Sequence, residues 1–151
     1  MRLVWTSLLS LAAFLLSGCD RSGPPVRFVL PQDFHGVFQI SVDRAHGSEL
    51  LKSNGMFVIG VPANGRVVVK DDRFLTRWHS ETALYPNGTV ISGEVPDTNS
   101  VALRGLGSEG HTFWILVGTE REFGIATRIL GQKPLARRLT DDDAPNYDSK
   151  R

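Results

Sequence analysis

The sequence predicts an all-β domain that follows a cleaved signal peptide: a small antiparallel β-sandwich, Ig-like or transthyretin-like, or a partly open barrel. About six to nine short apolar segments are separated by turn signals roughly every eight to twelve residues, which is typical of sandwiches and barrels. Asn64-Gly65 and Asn87-Gly88 lie between apolar or β-branched segments and are strong hairpin signals. A parallel α/β sheet is excluded because the pattern contains no crossover helices.

The first 18 residues have the order of a secretory signal peptide. Met1 and Arg2 form a short positive start, and a mostly apolar run from Val4 to Leu16 is followed by small residues. This run is shorter than the roughly 20 apolar residues that span a bilayer. We therefore expect residues 1–18 to be removed rather than retained as a transmembrane helix.

The segment Leu16-Ser17-Gly18-Cys19 resembles the bacterial lipobox. The resemblance implies that the Cys19 thiol receives a diacylglyceryl group and that cleavage before Cys19 makes it the first mature residue. Two or three acyl chains hold a domain stably at a membrane, since each buried CH₂ contributes about 0.8 kcal/mol. The alternative is an ordinary signal peptide followed by a chance cysteine. Because Cys19 is the only cysteine, an intramolecular disulfide is excluded.

Residues 19–25 form the predicted lipidated tether. The six residues from Asp20 to Pro25 reach only about 20 Å when fully extended, so we expect the domain to lie close to the membrane and to face the periplasm. Asp20 resembles the signal that keeps enterobacterial lipoproteins in the inner membrane. It favours the inner membrane, with the outer membrane as the alternative.

The mature chain from Cys19 to Arg151 has the size of one domain. Loss of Arg2 leaves 16 of the 17 basic residues against 16 acidic residues, a formal net charge of zero. This balance gives no indication of nucleic-acid binding. We predict a β-sandwich domain over residues 26–130 and a disordered, charge-rich tail over residues 131–151.

The first strands are predicted from apolar residues near the start of the domain. Phe28-Val29-Leu30 forms a short strand that Pro31 ends, and Gly36 then opens a second strand. In this second strand, residues 38–42 alternate between apolar and polar. Such alternation indicates one buried face and one solvated face.

The middle of the chain is predicted to contain a loop and two hairpins. Residues 44–54 form the loop, and residues 56–61 are nearly all apolar, which favours a strand covered on both sides. Asn64-Gly65 predicts a hairpin to a return strand at residues 67–69. The next strand is predicted over residues 74–79. The second hairpin is expected at Pro86-Asn87-Gly88, between strands at residues 83–85 and 89–91.

The last part of the domain is predicted to hold an edge strand at residues 101–104 and a glycine-rich turn at residues 105–110. A central strand follows at residues 111–119. Thr119 and the acidic residues after it would cap one helical turn, and residues 125–130 would form a last short strand. In the central strand, one face is predicted to carry Phe113, Ile115 and Val117, and the other face Trp114 and Leu116.

The set of apolar motifs resembles the uncharacterised bacterial family called DUF6843. The resemblance covers roughly residues 27–123 and implies a small β domain of unknown function, with no catalytic residues. The chain beyond Gly124 departs from the family pattern. The resemblance is carried by Phe28-Val29-Leu30-Pro31, Phe34, Gly36, the apolar strand before the turn at Gly65, and the run from Trp114 to Glu120 with Phe123.

The four histidines do not form a metal-ligand motif, because none lies in an HxH or HExxH spacing. We predict surface histidines, no metal and no cofactor. A zinc or copper site is the alternative if the loops of a sandwich gather several histidines at one end. His35, His79 and His111 are the candidate ligands, while His46 is the fourth histidine.

Other polar and aromatic groups have a structural and a functional interpretation. Asp33 and His35 share a turn and could act as acid and base, although an Asx-turn is favoured for Asp33. Trp78 and Trp114 could form a sugar-stacking platform, although burial in the core is favoured. Asp71-Asp72 and Asp141-Asp142-Asp143 do not fit an EF-hand, and the sequon at Asn87 is interpreted as a hairpin turn.

The sequence therefore predicts a membrane-anchored cell-envelope lipoprotein of unknown specific activity. We expect a non-catalytic binding or structural module, not an enzyme, that contacts the membrane through its N-terminal lipid and has an envelope protein as its partner. The alternatives are a metal- or glycan-binding envelope protein and a hydrolase. The hydrolase would require Asp33 or His35 beside another histidine in a cleft.

Overall fold

The computed structural model describes residues 23–77, 79–93 and 97–130, which form strands followed by a helix. The predicted signal peptide, the lipobox and residues 131–151 lie outside this part of the chain. The strands are β1 (Val26–Val29), β2 (Gly36–Val42), β3 (Leu51–Ser53), β4 (Met56–Gly60), β5 (Arg66–Val69), β6 (Glu81–Leu84), β7 (Val90–Ser92), β8 (Ala102–Glu109) and β9 (Thr112–Gly118), and the helix is α1 (Glu120–Leu130).

The strands form two sheets that pack as a sandwich and do not close into a barrel. Sheet A has the order β3-β4-β1-β6-β7, and sheet B has the order β5-β2-β9-β8. The predicted all-β, sandwich-like class is confirmed. Within the described residues, no helix combines the length and the apolar character needed to cross a membrane.

The sheets are mixed, so the expectation of purely antiparallel pairing was wrong. β1 pairs in parallel with both β4 and β6, and β2 pairs in parallel with β5. The chain crosses between the sheets after β1, β2, β4, β5 and β7. β5 returns to sheet B parallel to β2, and β6 returns to sheet A parallel to β1. β3 returns to sheet A and turns back through a hairpin, which leaves β4 parallel to β1.

The core lies between the sheets and is centred on three phenylalanines. Phe28 and Phe38 meet edge to face with ring centroids 5.0 Å apart, and Phe34 meets Phe38 at 6.2 Å. All three side chains are buried. Phe28 comes from sheet A and Phe38 from sheet B, so this contact joins the two layers across the middle of the domain.

The hairpin predicted at Asn87-Gly88 is present, and β6 pairs antiparallel with β7. The hairpin predicted at Asn64-Gly65 is not. Gly65 does turn the chain with a φ of 68°, but β5 joins sheet B beside β2 rather than pairing with β4. A different hairpin joins β3 to β4, where Asn54 and Gly55 have φ values of 49° and 80°, as the turn of a two-residue hairpin requires.

Three other local expectations are corrected. Residues 73–77 form turns instead of a strand, and Trp78 lies outside the described residues. The glycine-rich segment at residues 105–110 mostly extends β8, because a bulge between Gly105 and Gly107 absorbs the irregular backbone. β4 is not covered on both sides, since Ile59 is its one buried residue.

Residues 125–130 are helical, which corrects the predicted last strand. The helix places Phe123 and Ala126, three residues apart, against sheet B, and this packing favours helix over strand. The expected positions of β8 at an edge and of β9 in the middle of its sheet are confirmed.

Candidate functional site

The chain joins the sandwich at the start of β1. The Pro25 carbonyl accepts a hydrogen bond from Phe57 N at 2.8 Å, and Val26 N donates to Ser80 O at 2.9 Å. These bonds fix the backbone in sheet A from Pro25 onward. Cys19 and the other lipobox residues, Leu16, Ser17 and Gly18, lie outside the described residues.

The four histidines each lie against a different carboxylate. No group of three or more His, Cys, Asp or Glu side chains in the described ranges is placed to hold a metal ion. The fold therefore does not gather the candidate ligands His35, His79 and His111 into such a group. The pairs are His35 with Glu122 at 2.7 Å, His46 with Asp43 at 3.1 Å, His79 with Glu81 at 2.8 Å, and His111 with Asp72 at 2.8 Å.

The His35 pair belongs to the cap of α1. Glu122 Oε2 accepts hydrogen bonds from Thr119 N at 2.7 Å and Thr119 Oγ1 at 2.9 Å, and His35 Nε2 lies 2.7 Å away. Thr119 and Glu122 stand at the first and last positions of a capping box. Partial burial raises the pKa of Glu122, but the hydrogen bonds from His35 and Thr119 outweigh it and lower the pKa from 4.5 to about 2.

Asp33 and His35, considered as an alternative acid–base pair, each have another partner. His35 faces Glu122, whereas Asp33 Oδ1 accepts a hydrogen bond from Gln32 Nε2 at 2.7 Å. Asp33 has a φ of 57°, so it turns the chain between β1 and β2. The contact of His35 therefore joins this turn to the start of α1.

A cleft of about 890 Å³ lies along β6, with β7 and β8 beside it. The His79 side chain in its wall is only 8% exposed. His79 Nδ1 lies 2.6 Å from the Arg77 carbonyl oxygen, and Nε2 lies 2.8 Å from Glu81 Oε1. Both ring nitrogens are therefore engaged by acceptors. The cleft also presents the hydroxyl side chains of Thr76, Ser80, Thr82 and Ser92 and the apolar side chains of Leu75 and Leu103.

Trp114 is buried, so it does not offer a stacking surface for a sugar. Its side chain is 6% exposed and packs with Val37 and Leu116 beneath α1. Its partner in the hypothetical platform, Trp78, lies outside the described residues. The interpretation of Trp114 as a core residue is the one that the structure supports.

The outer face of sheet B is covered by α1. Phe123 and Ala126 of the helix pack against this face, which carries Val37, Trp114 and Leu116. The face also carries Arg104. Arg104 Nη2 pairs with Glu120 Oε2 at 2.9 Å, and the guanidinium carbon of Arg104 lies 5.6 Å from the centre of the Phe123 ring. The helix thus covers the apolar surface and also neutralises the arginine.

The outer face of sheet A has a similar composition, but no described element packs on it. Arg27 lies in its middle strand, between Val58 of β4 and Thr82 of β6. Arg27 Nε is buried and has no hydrogen-bond partner within the described part of the chain. We call this surface the open face, and its arginine and apolar residues are Arg27, Val29, Leu51, Val58, Leu84 and Val90.

Much of the apolar area of the open face is exposed to solvent. Leu51 is 71% exposed, Val90 57% and Val29 36%. Exposed apolar side chains on an uncovered sheet face make that face a candidate interaction site. Sequence reasoning missed it, because the apolar run at residues 56–61 suggested that both sides of β4 were covered. The available signal was Arg27, a charged residue inside an apolar strand.

The described residues form a small β-sandwich domain in which α1 covers the outer face of sheet B and no described element covers that of sheet A. No family model matches the chain, and no curated protein matches it. Among solved structures, it is similar to a "putative lipoprotein" from Bacillus anthracis, with a TM-score of 0.42 and 10% identity over 84% of this chain and 92% of that chain. A similarity at this level supports no argument about function.

Proposed function

We propose that this chain is a lipoprotein of the bacterial cell envelope whose β domain binds an envelope protein without catalysing a reaction. Cys19 would be lipidated after removal of residues 1–18, and residues 19–25 would tether the domain on the periplasmic side. The lipobox Leu16-Ser17-Gly18-Cys19 supports this anchoring, and Asp20 favours the inner membrane. The resemblance to DUF6843 is consistent with this proposal, because it implies a small β domain and brings no catalytic residues.

The open face is the observation that carries the binding proposal. β1, the first strand after the tether, is also the middle strand of sheet A. The backbone is fixed from Pro25, and the six residues from Asp20 to Pro25 extend over at most about 20 Å. A lipid on Cys19 would therefore hold the open face beside the membrane, within reach of other membrane-bound proteins.

In-cell photo-crosslinking tests this proposal. A photoreactive amino acid replaces Val90, which lies on the open face, and in a second strain it replaces Val68, an exposed residue of sheet B. We expect a specific envelope-protein adduct from position 90 and none from position 68. The absence of an adduct at position 90, or the same adducts from both positions, would contradict the proposal.

Glycan binding is the second candidate function, and the cleft along β6 favours it. Hydroxyl side chains and the charged groups of Arg77 and Glu81 can exchange hydrogen bonds with a saccharide, while Leu75 can contact its apolar face. Titration with soluble cell-wall saccharides, followed by NMR, tests this candidate. Saccharide-dependent shifts at Thr82 and Leu103 would support it, and unchanged spectra would reject it.

A further inference from the structure

We propose that the open face binds an amphipathic helix of a partner protein and that this helix carries a carboxylate opposite Arg27. The inference rests on the proposed envelope-binding function and specifies the chemistry of the partner. It follows from a comparison of the two sheets of this domain, each of which places an arginine among apolar residues on its outer face.

Sheet B shows what covers such a surface. There α1 supplies Glu120 to Arg104 at 2.9 Å, and Phe123 both packs on the apolar residues and lies against the guanidinium group. Glu120 and Phe123 are three residues apart and so lie on one side of the helix. One helical face therefore provides the carboxylate and the apolar contact together.

The outer face of sheet A also places an arginine, Arg27, among apolar residues. The Nε of Arg27 is buried without a partner among the described residues, as is the Nε of Arg104, but of the two arginines only Arg104 has a described carboxylate paired with its Nη2. A buried donor left unpaired costs free energy. Val29, Val58 and Leu84 surround Arg27 on the same face. A helix with an Asp or Glu among apolar residues would pair the guanidinium and remove this apolar surface from water.

The dimensions of the open face suit a helix. Leu51 on β3 and Val90 on β7 lie at opposite edges of the five-stranded sheet. Four strand spacings separate them, about 19 Å. A helix with its side chains is about 10 to 12 Å wide, so one helix that crosses the strands fits on this face and contacts both edges.

A second copy of this chain is a poorer occupant. The residues on the open face include no Asp or Glu, as the strand register shows. In a symmetric dimer formed through this face, each Arg27 would meet the apolar surface and the arginine of the other copy. Such a contact would bury charge without compensation.

The test measures the crosslinking yield from position 90 in intact cells with Arg27 varied. We expect Arg27→Lys to retain most of the adduct and Arg27→Glu to lower it at least about tenfold, because a partner carboxylate would then face a like charge. Arg66→Glu is the matched control: Arg66 is an exposed strand arginine on sheet B, and its change should leave the yield unaltered. Thermal unfolding of each purified variant confirms that it folds.

Peptide mapping of the adduct identifies the segment of the partner that contacts the open face. The inference predicts a crosslinked segment with an Asp or Glu and apolar residues at helical spacing. It is overturned if the segment lacks an acidic residue, if Arg27→Glu and Arg66→Glu act alike, or if the adduct joins residues 131–151 or a second copy. If a foreign envelope protein is captured but Arg27 has no effect, the proposed function stands and only this inference fails. No adduct in the wild type would reject both.

Discussion

Arg104 and Glu120 form an ion pair of 2.9 Å that joins the outer face of sheet B to the helix covering it. Arg27 holds a comparable place on sheet A, and its buried Nε has no hydrogen-bond partner among the described residues, as is also true of Arg104 Nε. Among the described residues, one sheet therefore has its outer face covered by α1, and the outer face of the other sheet is open. This asymmetry is the basis for regarding the domain as a binding module.

Phe123→Ala should destabilise the domain by about 2 kcal/mol, because its ring packs on the apolar cluster that joins α1 to sheet B. The loss would appear as a lower urea midpoint at an unchanged slope. Thr127→Ala is the matched control, since Thr127 is exposed on the same helix and its replacement should change the free energy of unfolding by less than about 0.5 kcal/mol. Equal effects of the two changes would contradict the described packing of α1.

Glu122 should make the free energy of unfolding depend on pH in the acid range. Its pKa is about 2 in the folded domain and ordinarily 4.5, so the unfolded chain binds the proton first as pH falls. The stabilisation is fully present above pH 4.5 and is lost as the pH falls from 4.5 toward 2. Glu122→Gln should be less stable than the wild type at pH 7, and the difference should shrink over this range. Denaturant unfolding at several pH values measures the stability difference between the wild type and Glu122→Gln. A difference that stays constant with pH would contradict the described cap.

Gly118→Ala should disturb the same helix cap, because the added methyl group would lie against the Glu122 carboxylate. An added Cβ would lie 2.9 Å from Glu122 Oε2, so the carboxylate would have to move away from Thr119 and His35. We expect a loss of about 1 kcal/mol and an acid profile flattened like that of Glu122→Gln. At Gly105 an added Cβ meets nothing within 4 Å, so Gly105→Ala is the control. A steep acid profile retained in Gly118→Ala would show that the carboxylate is not displaced.

Cys19→Ala should prevent lipid attachment and processing by the lipoprotein signal peptidase. The expected result is loss of radiolabelled fatty acid and retention of the signal peptide, seen as a larger precursor on gels. Ser17→Ala keeps a small residue in the lipobox and should still be lipidated. If Cys19→Ala were processed and labelled like the wild type, the lipobox interpretation would be wrong.

The sequence predicts best the features that depend on local alternation. The residues of β9 separate onto two faces as expected, because the strand is central and both faces meet apolar neighbours. The turn at Gly65 was also recognised, but turn chemistry sets local φ values and does not determine which sheet the next strand joins. The strand that follows this turn, β5, crosses to sheet B and pairs there with β2.

The open face could not be inferred from the sequence for a related reason. An apolar run such as residues 56–61 has the same appearance whether one side or both sides are covered by the domain. Only the position of α1 decides this, and residues 125–130 of α1 were predicted to form a strand. The helix packs on sheet B, so β4 is exposed on its outer side.

The most direct test of the account compares photo-crosslinks from Leu51 and Val90, at opposite edges of the open face. A partner that covers this face must contact both edges. We predict that both positions capture the same envelope protein in intact cells and that Val68 does not. Capture of unrelated proteins from the two positions, or of none, would contradict the claim that this anchored domain binds a partner through the outer face of sheet A.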